Sequence, residues 1–379
     1  MIYLDNAATS WPKPAAVPRA VAACLRRAAS PGRGGHGLSR EADKIMFAAR
    51  EELSALFAAT NSSTITFTAN ATDAVNTALF GLLAPGDRVV TTSMEHNAVA
   101  RPLRALENRG LILDIVPCDH TGALPLDNLR SALKGGAKAV VATHASNVTG
   151  TIMPLADIGR LAHDAGALLI VDAAQTAGVE PIDVAAMGID AMAFSGHKSL
   201  LGPQGTGGLY VREGIMVEPF RHGGTGSLSE SDRQPLFYPD RLESGTPNTP
   251  GIAGLLAGVR YINKRGLENI RIAEYQLTAD LLAGLTQIPG IAVYGPPAGE
   301  PRTAVVSFTV GDQDSGEIAH RLDREFGIAC RGGLHCAPWA HQTIGSLVTG
   351  TVRFSPGCFT AAADIAAALA AVADFAGAN

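Results

Sequence analysis

The strongest constraint on the fold is a regular alternation of short apolar segments with amphipathic segments between residues 63 and 211. The amphipathic segments, such as 73–83 and 155–165, have the spacing of helices that bury one face. Strands separated by crossover helices form a parallel sheet that is covered on both sides. The predicted strands are 64–68, 88–92, 111–116, 139–143, 168–172, 191–194 and 207–211.

The chain changes character after residue 220. An irregular, glycine-rich segment at 221–250 precedes two helical segments at 251–265 and 269–288. The remaining periodic segments predict a smaller α+β unit, with strands at 292–294, 304–309 and 351–354 and a closing alanine-rich helix at 361–375. We therefore predict a large domain at 15–250 and a small domain formed by 1–14 and 251–379.

Composition narrows the possible functions. The net charge of -5 offers no basic surface for nucleic acid. No apolar run has the length of a membrane span, and the first residues lack the basic region of a signal peptide. Five widely spaced cysteines, an odd number, argue against a disulfide framework. We expect a cytoplasmic protein with free thiols and no membrane or nucleic-acid partner.

Lys198 is the first candidate catalytic residue. It follows the predicted strand 191–194, it is preceded by Ser195 and His197, and a glycine-rich segment follows at 202–208. Burial disfavours the ammonium form, so a lysine at the edge of an apolar sheet can be a neutral nucleophile that forms a Schiff base with an aldehyde. The alternative is an ordinary surface lysine.

Asp172 suggests which aldehyde this is. It ends the apolar run 168–172, and a carboxylate there is costly unless it meets a cation. The pyridinium nitrogen of pyridoxal 5'-phosphate is such a cation, and Gln175 can then reach the phenolic oxygen of the same ring. In the alternative interpretation Asp172 only caps the next turn.

The start of the helix after strand 64–68 is the candidate phosphate site. The backbone N–H of Ala71 and the side chain of Thr72 lie there, and a helix N-terminus attracts anions. Ser195 and His197 would add further donors. The alternative is that Thr72 is simply the N-cap residue.

Three residues are candidates for substrate binding and chemistry. Arg353 lies on an apolar predicted strand and would clamp an amino-acid carboxylate, unless it makes a structural ion pair. His96 follows strand 88–92 at the edge where α/β sheets bind ligands, unless it is a surface histidine. Cys336 lies in the loop GGLHCAP at 332–338, where flexible backbone and an adjacent imidazole favour a reactive thiolate.

The other cysteines are assigned structural roles. Cys24 lies in an apolar helix and Cys330 in a strand, so packing is the expected role of both. Cys118 and Cys358 have no supporting neighbours. A zinc site built from Cys330, Cys336 and the two nearby histidines is the alternative for this region, although the spacing lacks paired zinc-binding motifs. The glycine pattern at 32–37 matches the dinucleotide-binding fingerprint, but a helix and Ser30-Pro31 precede it instead of a strand.

Together these motifs resemble the class V branch of pyridoxal-phosphate enzymes, and within it the cysteine desulfurases and selenocysteine lyases, with a group II-like pattern. Besides the residues above, the resemblance rests on YLDNAAT at 3–9, EHN at 95–97, SNVTG at 146–150, ESGTPN at 243–248, RGGLHCA at 331–337 and VRFS at 352–355. It implies the fold type I (aspartate aminotransferase-like) architecture, in which a large domain with a mostly parallel seven-stranded sheet carries a smaller α+β domain.

The resemblance also implies roles for individual residues. His96 would stack on the pyridine ring and relay protons, and Asn147 would lie beside the substrate carboxylate and the cofactor oxygen. Thr246 of a second subunit would bind the phosphate, because family members are homodimers with shared active sites.

The implied activity is conversion of L-cysteine to L-alanine with transfer of the sulfur to Cys336 as a persulfide, from which an acceptor protein would collect it. Three alternatives remain open: a selenocysteine lyase, a class V aminotransferase-type enzyme for another small amino acid, and a non-catalytic scaffold or regulator that binds the cofactor. Leu334 stands where many group II desulfurases have a second histidine, which leaves the preference between sulfur and selenium open.

Overall fold

The structure is a computed structural model that describes residues 1–32 and 34–377, so Arg33 of the glycine pattern at 32–37 lies outside the described residues. The strands are β1 (Ile2–Tyr3), β2 (Ile65–Thr68), β3 (Arg88–Thr92), β4 (Ile112–Val116), β5 (Ala139–Thr143), β6 (Leu168–Asp172), β7 (Ala191–Ser195), β8 (Gly207–Val211), β9 (Ile291–Tyr294), β10 (Val306–Val310), β11 (Ile328–Ala329) and β12 (Val352–Phe354). The helices are α1 (Ala16–Arg27), α2 (Gly37–Leu56), α3 (Ala71–Leu82), α4 (Asn97–Glu107), α5 (Leu126–Leu133), α6 (Leu155–Asp164), α7 (Thr249–Arg265), α8 (Leu267–Leu285), α9 (Ser315–Phe326), α10 (Pro338–Thr343) and α11 (Ala362–Gly377).

The central sheet has seven strands in the order β2-β8-β7-β6-β5-β3-β4. Strand β8 pairs antiparallel with both β2 and β7, and the other pairs in the sheet are parallel. The predicted mostly parallel seven-stranded sheet is therefore confirmed. Within the described residues, no helix is long and apolar enough to cross a membrane.

Both faces of this sheet are buried. Along β6, Leu169 and Val171 face one hydrophobic cluster with α2, α6 and α7, whereas Ile170 faces a second cluster with α3 and α4. Because successive strand side chains point to opposite faces, each central strand must be apolar at nearly every position. This requirement explains the continuous apolar runs in the sequence.

The smaller unit has its own core. Its antiparallel sheet has the order β12-β10-β9 and packs with apolar residues of α8, α9 and α11. The N-terminal strand β1 pairs with β11, and Asp5 bridges to Ser355, so the first residues of the chain join this unit. Helix α7 packs instead into the core of the large sheet. The predicted domain limits stay a prediction.

Candidate active site

A cavity of about 340 Å³ lies at the carboxyl ends of the central strands, between the two units. Several of its walls come from the large sheet, and Arg331, His335 and Arg353 close it from the small unit. The sequence-predicted residues that line it are Ala71, Thr72, His96, Asn147, Asp172, Gln175, Ser195, His197, Lys198 and Arg353. Residues predicted separately along the chain thus surround one space.

Lys198 lies in the turn that follows β7. Burial lowers its pKa to about 8, and the cationic Arg353 and Arg331 act in the same direction, whereas Asp172 opposes them. Its carbonyl accepts hydrogen bonds from the Ser10 hydroxyl at 2.8 Å and from the Leu201 N–H at 2.8 Å, which fix the turn. A lysine in this environment has a substantial neutral fraction near neutral pH and can act as a nucleophile or a base.

Asp172 is the last residue of β6 and only 5% exposed. Its Oδ1 accepts a hydrogen bond from the Ala174 N–H at 2.9 Å, so the capping contact of the alternative interpretation does exist. The side chain nevertheless lines the cavity as well. Burial raises the pKa of this carboxyl group, and the Ala174 N–H and Lys198 lower it.

His96 is the N-cap residue of α4. Its Nδ1 accepts a hydrogen bond from the Ala98 N–H at 3.0 Å. Burial, aided by Lys198 and Arg331, lowers its pKa to about 3, so the ring is neutral at physiological pH. Because Nδ1 accepts, the proton of the neutral ring is assigned to Nε2.

The N-terminus of α3 opens onto the same cavity. Asn70 is its N-cap residue, since the side chain accepts a hydrogen bond from the Asp73 N–H at 2.9 Å. Thr72 is therefore not the cap, which corrects that alternative. The backbone N–H groups of Ala71 and Thr72 belong to the first helical turn, whose N–H groups lack partners within the helix.

Arg353 is 1% exposed and is held from two sides. Its Nη2 donates to Asp5 Oδ1 at 2.7 Å, and its Nη1 donates to the Asn147 carbonyl at 3.1 Å. The structural ion pair considered for Arg353 is thus present, and the guanidinium also lines the cavity. Its Nε is buried and has no hydrogen-bond partner among the described residues.

The Cys336 loop is fixed to the large domain at two successive carbonyl groups. The His335 carbonyl accepts from Asn147 Nδ2 at 2.7 Å, and the Cys336 carbonyl accepts from the Asn97 N–H at 2.8 Å. Both loop residues have positive φ angles, 49° for His335 and 58° for Cys336, so the backbone is strained where it carries the thiol. Cys336 is exposed.

A cation accompanies this thiol, but it is Arg331. Its Nη2 lies 3.5 Å from the Cys336 Sγ. The His335 ring instead contacts Thr351 through Nε2, and burial lowers its pKa to about 2, so this ring is neutral. Within residues 1–32 and 34–377, no cluster of three or more His, Cys, Asp or Glu side chains has the geometry of a metal site.

Two other predicted residues have contacts that the sequence did not predict. Gln175 donates through Nε2 to the Ala7 carbonyl at 3.1 Å. Thr246 does not line the Lys198 cavity and lies in a separate cleft with Arg50 and Glu243.

Asp5, Arg331 and Glu95 were missed as individual site residues, although each lies inside a motif of the resemblance. Asp5 holds Arg353, Arg331 accompanies the thiol, and Glu95 lies buried beside the cavity. Glu95 is adjacent to His96, and Arg331 opens the motif that contains Cys336, whereas the motif of Asp5 contains no predicted site residue.

The cavity fits pyridoxal 5'-phosphate. His197 Nδ1 and Arg353 Nε are buried polar atoms that have no hydrogen-bond partner among the described residues, and both residues line the cavity. The walls offer a weakly basic amine at Lys198, a carboxyl group at Asp172 and a helix N-terminus at Ala71. These groups match an aldehyde, a pyridinium nitrogen and a phosphate, respectively.

The comparisons with known proteins agree with this site. The sequence profile of the family described as Aminotransferase class-V matches residues 2–367. A probable cysteine desulfurase of Methanothermobacter thermautotrophicus is 36% identical over 361 residues, which cover 93% of this chain and 89% of the relative. A cysteine desulfurase of Escherichia coli O127:H6 is 37% identical over 349 residues, 89% of this chain and 84% of the relative.

Solved structures give the same result. The apo structure of a cysteine desulfurase from Thermococcus onnurineus NA1 superposes with a TM-score of 0.94 at 34% identity, over 100% of this chain and 95% of that one. A cysteine desulfurase of Escherichia coli in its S-sulfonic acid form gives a TM-score of 0.88 at 29% identity, over 99% of this chain and 94% of that one.

Proposed function

The chain belongs to the aminotransferase class-V family, and from this premise we propose that it is a pyridoxal-phosphate-dependent cysteine desulfurase. The reaction consumes L-cysteine and the Cys336 thiol, and it yields L-alanine and a Cys336 persulfide. The observation that carries this proposal is the exposed Cys336 thiol, held on a fixed loop beside Arg331 at the edge of the Lys198 cavity.

The residues around the cavity would hold the cofactor at several points. Lys198 would bind its aldehyde carbon, and the Ala71 and Thr72 N–H groups would bind the phosphate with Ser195 and His197. Asp172 would hold a proton on the ring nitrogen, His96 would cover the ring and Gln175 would approach its phenolic oxygen. When bound, pyridoxal phosphate supplies an electron sink that stabilises negative charge at the substrate Cα.

Arg353 and Asn147 orient the substrate. The free Nε of Arg353 and the adjacent guanidinium edge would bind the amino-acid carboxylate, while Asp5 and the Asn147 carbonyl keep the guanidinium in place. The orientation matters because it directs the substrate side chain towards Cys336, whose loop is attached to the same Asn147.

Lys198 and Cys336 perform the bond changes. The neutral Lys198 amine removes the Cα proton. The Cys336 sulfur then forms an S–S bond with the substrate sulfur while the Cβ–S bond breaks, and the electron pair of that bond stays on Cβ. Protonation of Cβ and return of a proton from the Lys198 ammonium to Cα complete alanine, and the neutral His96 ring, with its proton at Nε2, would relay protons at this step.

The test is a comparison of substrates and variants. The purified holoenzyme should release alanine from L-cysteine, leave a persulfide on Cys336 and release sulfide when a thiol reductant is added. C336A should lose the cysteine reaction and retain turnover of L-selenocysteine to alanine, because the Cβ–Se bond is weaker than the Cβ–S bond and breaks more readily. K198A should lose both.

The outcomes separate the alternatives. Formation of a keto acid instead of alanine would indicate an aminotransferase, and unchanged turnover of both substrates by C336A would remove Cys336 from the mechanism. A protein that binds the cofactor and turns over neither substrate would be a scaffold. Borohydride reduction should fix the cofactor to Lys198, as detected by mass spectrometry.

The assembly and the cellular setting are also proposals. A homodimer would bring Thr246 of one subunit to the phosphate end of the other site, which is consistent with the distance of Thr246 from the cavity of its own chain. The five cysteines are free, which suits the reducing cytoplasm predicted from the sequence. The exposure of Cys336 suits delivery of its sulfur to an acceptor protein.

A further inference from the structure

Glu95 is a fully buried acid for which the mechanism above has no use. It is 0% exposed and lies between β3 and the N-cap residue His96. Its Oε1 accepts two hydrogen bonds, from the Thr92 hydroxyl at 2.6 Å and from the Thr143 N–H at 3.0 Å. Its Oε2 is buried and has no hydrogen-bond partner among the described residues.

These two hydrogen bonds connect the ends of neighbouring strands. Thr92 ends β3 and Thr143 ends β5, and Thr143 is in register with Asp172 at the end of β6. Glu95 therefore ties together the edge of the sheet from which His96 and Asp172 reach the cavity.

The contacts of Glu95 do not suit a negative charge. No arginine, lysine or histidine forms an ion pair with Glu95 within the described parts of the chain. An ionised carboxylate in such a place would leave one oxygen uncompensated, and burying an unpaired charge costs far more than burying a neutral hydroxyl group.

We propose that Glu95 carries a proton throughout the working pH range and is a positioning residue, so that it adds no negative charge beside Asp172. Two neighbouring acids cannot both ionise cheaply, and a proton held on Glu95 allows Asp172 to stay negative. The role of Asp172 rests on the proposed function, whereas the protonation of Glu95 does not.

The electrostatics of the surroundings agree with this assignment. Burial raises the pKa of Glu95 to about 8, and the charge of Asp172 raises it further, against the hydrogen bonds from Thr92 and Thr143. Cys118 is a further titratable group near Glu95, and burial raises the pKa of that thiol to about 12, so it adds no negative charge beside Glu95.

The first test is infrared spectroscopy of the holoenzyme at neutral pH. The C=O stretch of a protonated carboxyl group should be present, and part of it should disappear in E95Q. Glu274 provides the matched control, because burial also raises its pKa to about 8. E274Q should remove a different component of the carboxyl C=O band. Loss of no carboxyl band in E95Q would overturn the proposal.

The second test compares the pH dependence of unfolding. An acid that is protonated in the folded state and has its ordinary pKa of 4.5 in the unfolded state destabilises the fold as pH rises from 4.5 towards about 8. The folding equilibrium constant of the wild type should therefore lose up to roughly tenfold per pH unit in that window relative to E95Q. Parallel stability profiles for the two proteins would contradict a protonated Glu95.

Comparison of E95A with the conservative variant E95Q distinguishes a positioning role of Glu95 from a role in packing alone. E95A should weaken binding of pyridoxal phosphate by about tenfold or more, because the Thr92 and Thr143 groups lose their acceptor, and E95Q should recover most of that loss. An affinity as poor in E95Q as in E95A would show that the charge is needed. If E95Q fails to fold, E274Q alone still provides a test. A carboxyl C=O band that remains in E274Q at neutral pH would come from a protonated buried acid other than Glu274, and its absence would overturn the proposal.

Discussion

At the scale of single residues, the substrate side of the site depends on how a buried cation is held. Arg353 is buried in the wall of the cavity, and in the described part of the chain it has one acidic partner, Asp5, whose side chain is 22% exposed. A guanidinium with one fixed edge presents its remaining N–H groups in a defined direction. Asp5 therefore sets the orientation of Arg353 without contacting the substrate.

Replacing Asp5 with asparagine should weaken substrate use while leaving the fold intact. Loss of one charged hydrogen bond to a buried guanidinium corresponds to about 2 kcal/mol, or roughly thirtyfold in kcat/KM, mainly through KM. Steady-state kinetics with L-cysteine measures this. The control is D114N, which removes the ion pair with Arg88 at the far edge of the sheet and should leave KM unchanged. Equal effects of the two variants would contradict the role of Asp5.

Arg331 should control the reactivity of Cys336. Reactive cysteines lie beside cationic side chains, and the Arg331 Nη2 lies 3.5 Å from the Cys336 Sγ, so R331A should slow alkylation of Cys336 by iodoacetamide by roughly three- to tenfold, and R331K should retain most of the rate. Mass spectrometry of the alkylated peptide gives the rate at this cysteine alone. The buried Cys24 serves as an internal control, since its slow reaction should not change.

Most of the site was predicted from residue types and their local sequence context. The residues that were missed are defined by contacts between distant parts of the chain. Lys198, Asp172 and Arg353 stand out locally, because each is a charged residue next to or within an apolar strand. The partner of Arg353 is 348 residues away, and that of Glu95 on β5 is 48 residues away. No local periodicity encodes such pairs, so Asp5 and Glu95 became visible only in the folded chain.

At the scale of secondary structure elements, β8 positions the cofactor site although it contributes no catalytic side chain. A Cβ atom on Gly207 would lie 2.7 Å from the backbone of Asn70, the N-cap residue of α3. Strand β8 can therefore approach the phosphate end of the cavity only because a glycine stands there.

G207A should displace the α3 N-terminus and weaken cofactor binding. Overpacking of this kind costs about 1 to 3 kcal/mol. Titration with pyridoxal phosphate, followed by visible absorbance, measures the change in affinity. The matched control is G37A at the start of α2, where the new Cβ would meet no atom closer than 3.9 Å. An affinity for G207A equal to that of the control would show that the backbone moves aside freely.

The elements themselves were predicted closely where the pattern is local. Strands β3, β5, β6 and β8 begin and end at the predicted residues, because a charged, polar or glycine residue stands at one end or both of each apolar run. The start of α3 was predicted two residues late, since the capping contact of Asn70 depends on side-chain geometry. The antiparallel direction of β8 depends on pairing across the sheet. Its one sequence signal is the connection 196–206, which contains no crossover helix.

At the scale of the whole molecule, the N-terminal segment joins both domains at the site. Residues 2 and 3 pair with β11 of the small unit, and Asp5 binds Arg353. A few residues later, the Ser10 N–H and the Lys13 ammonium both donate to the His197 carbonyl in the lysine turn, the latter at 2.7 Å. The segment therefore connects Arg353, the proposed substrate-binding residue, with Lys198, the proposed catalytic lysine.

The proposed sharing of sites between subunits leads to a complementation experiment. In the described structure Thr246 lies outside the cavity that contains Lys198 of the same chain. If the phosphate of each site is bound by Thr246 of the other subunit, K198A and T246A damage different halves of the same shared site. A mixed dimer of the two variants then contains one site with both lesions and one site with neither.

Unfolding and refolding the two variants together should restore activity above the sum of the separate proteins. Random pairing makes half of the dimers mixed, so about a quarter of all sites should be intact. The assay is run at a pyridoxal phosphate concentration too low to saturate T246A, so that activity reports the repaired sites. The control mixes K198A with D172N, because Lys198 and Asp172 line the same cavity of one chain. Each site of that mixed dimer carries one lesion, so this mixture should restore no activity. Activity in the T246A mixture no greater than in that control would show that Thr246 serves its own subunit.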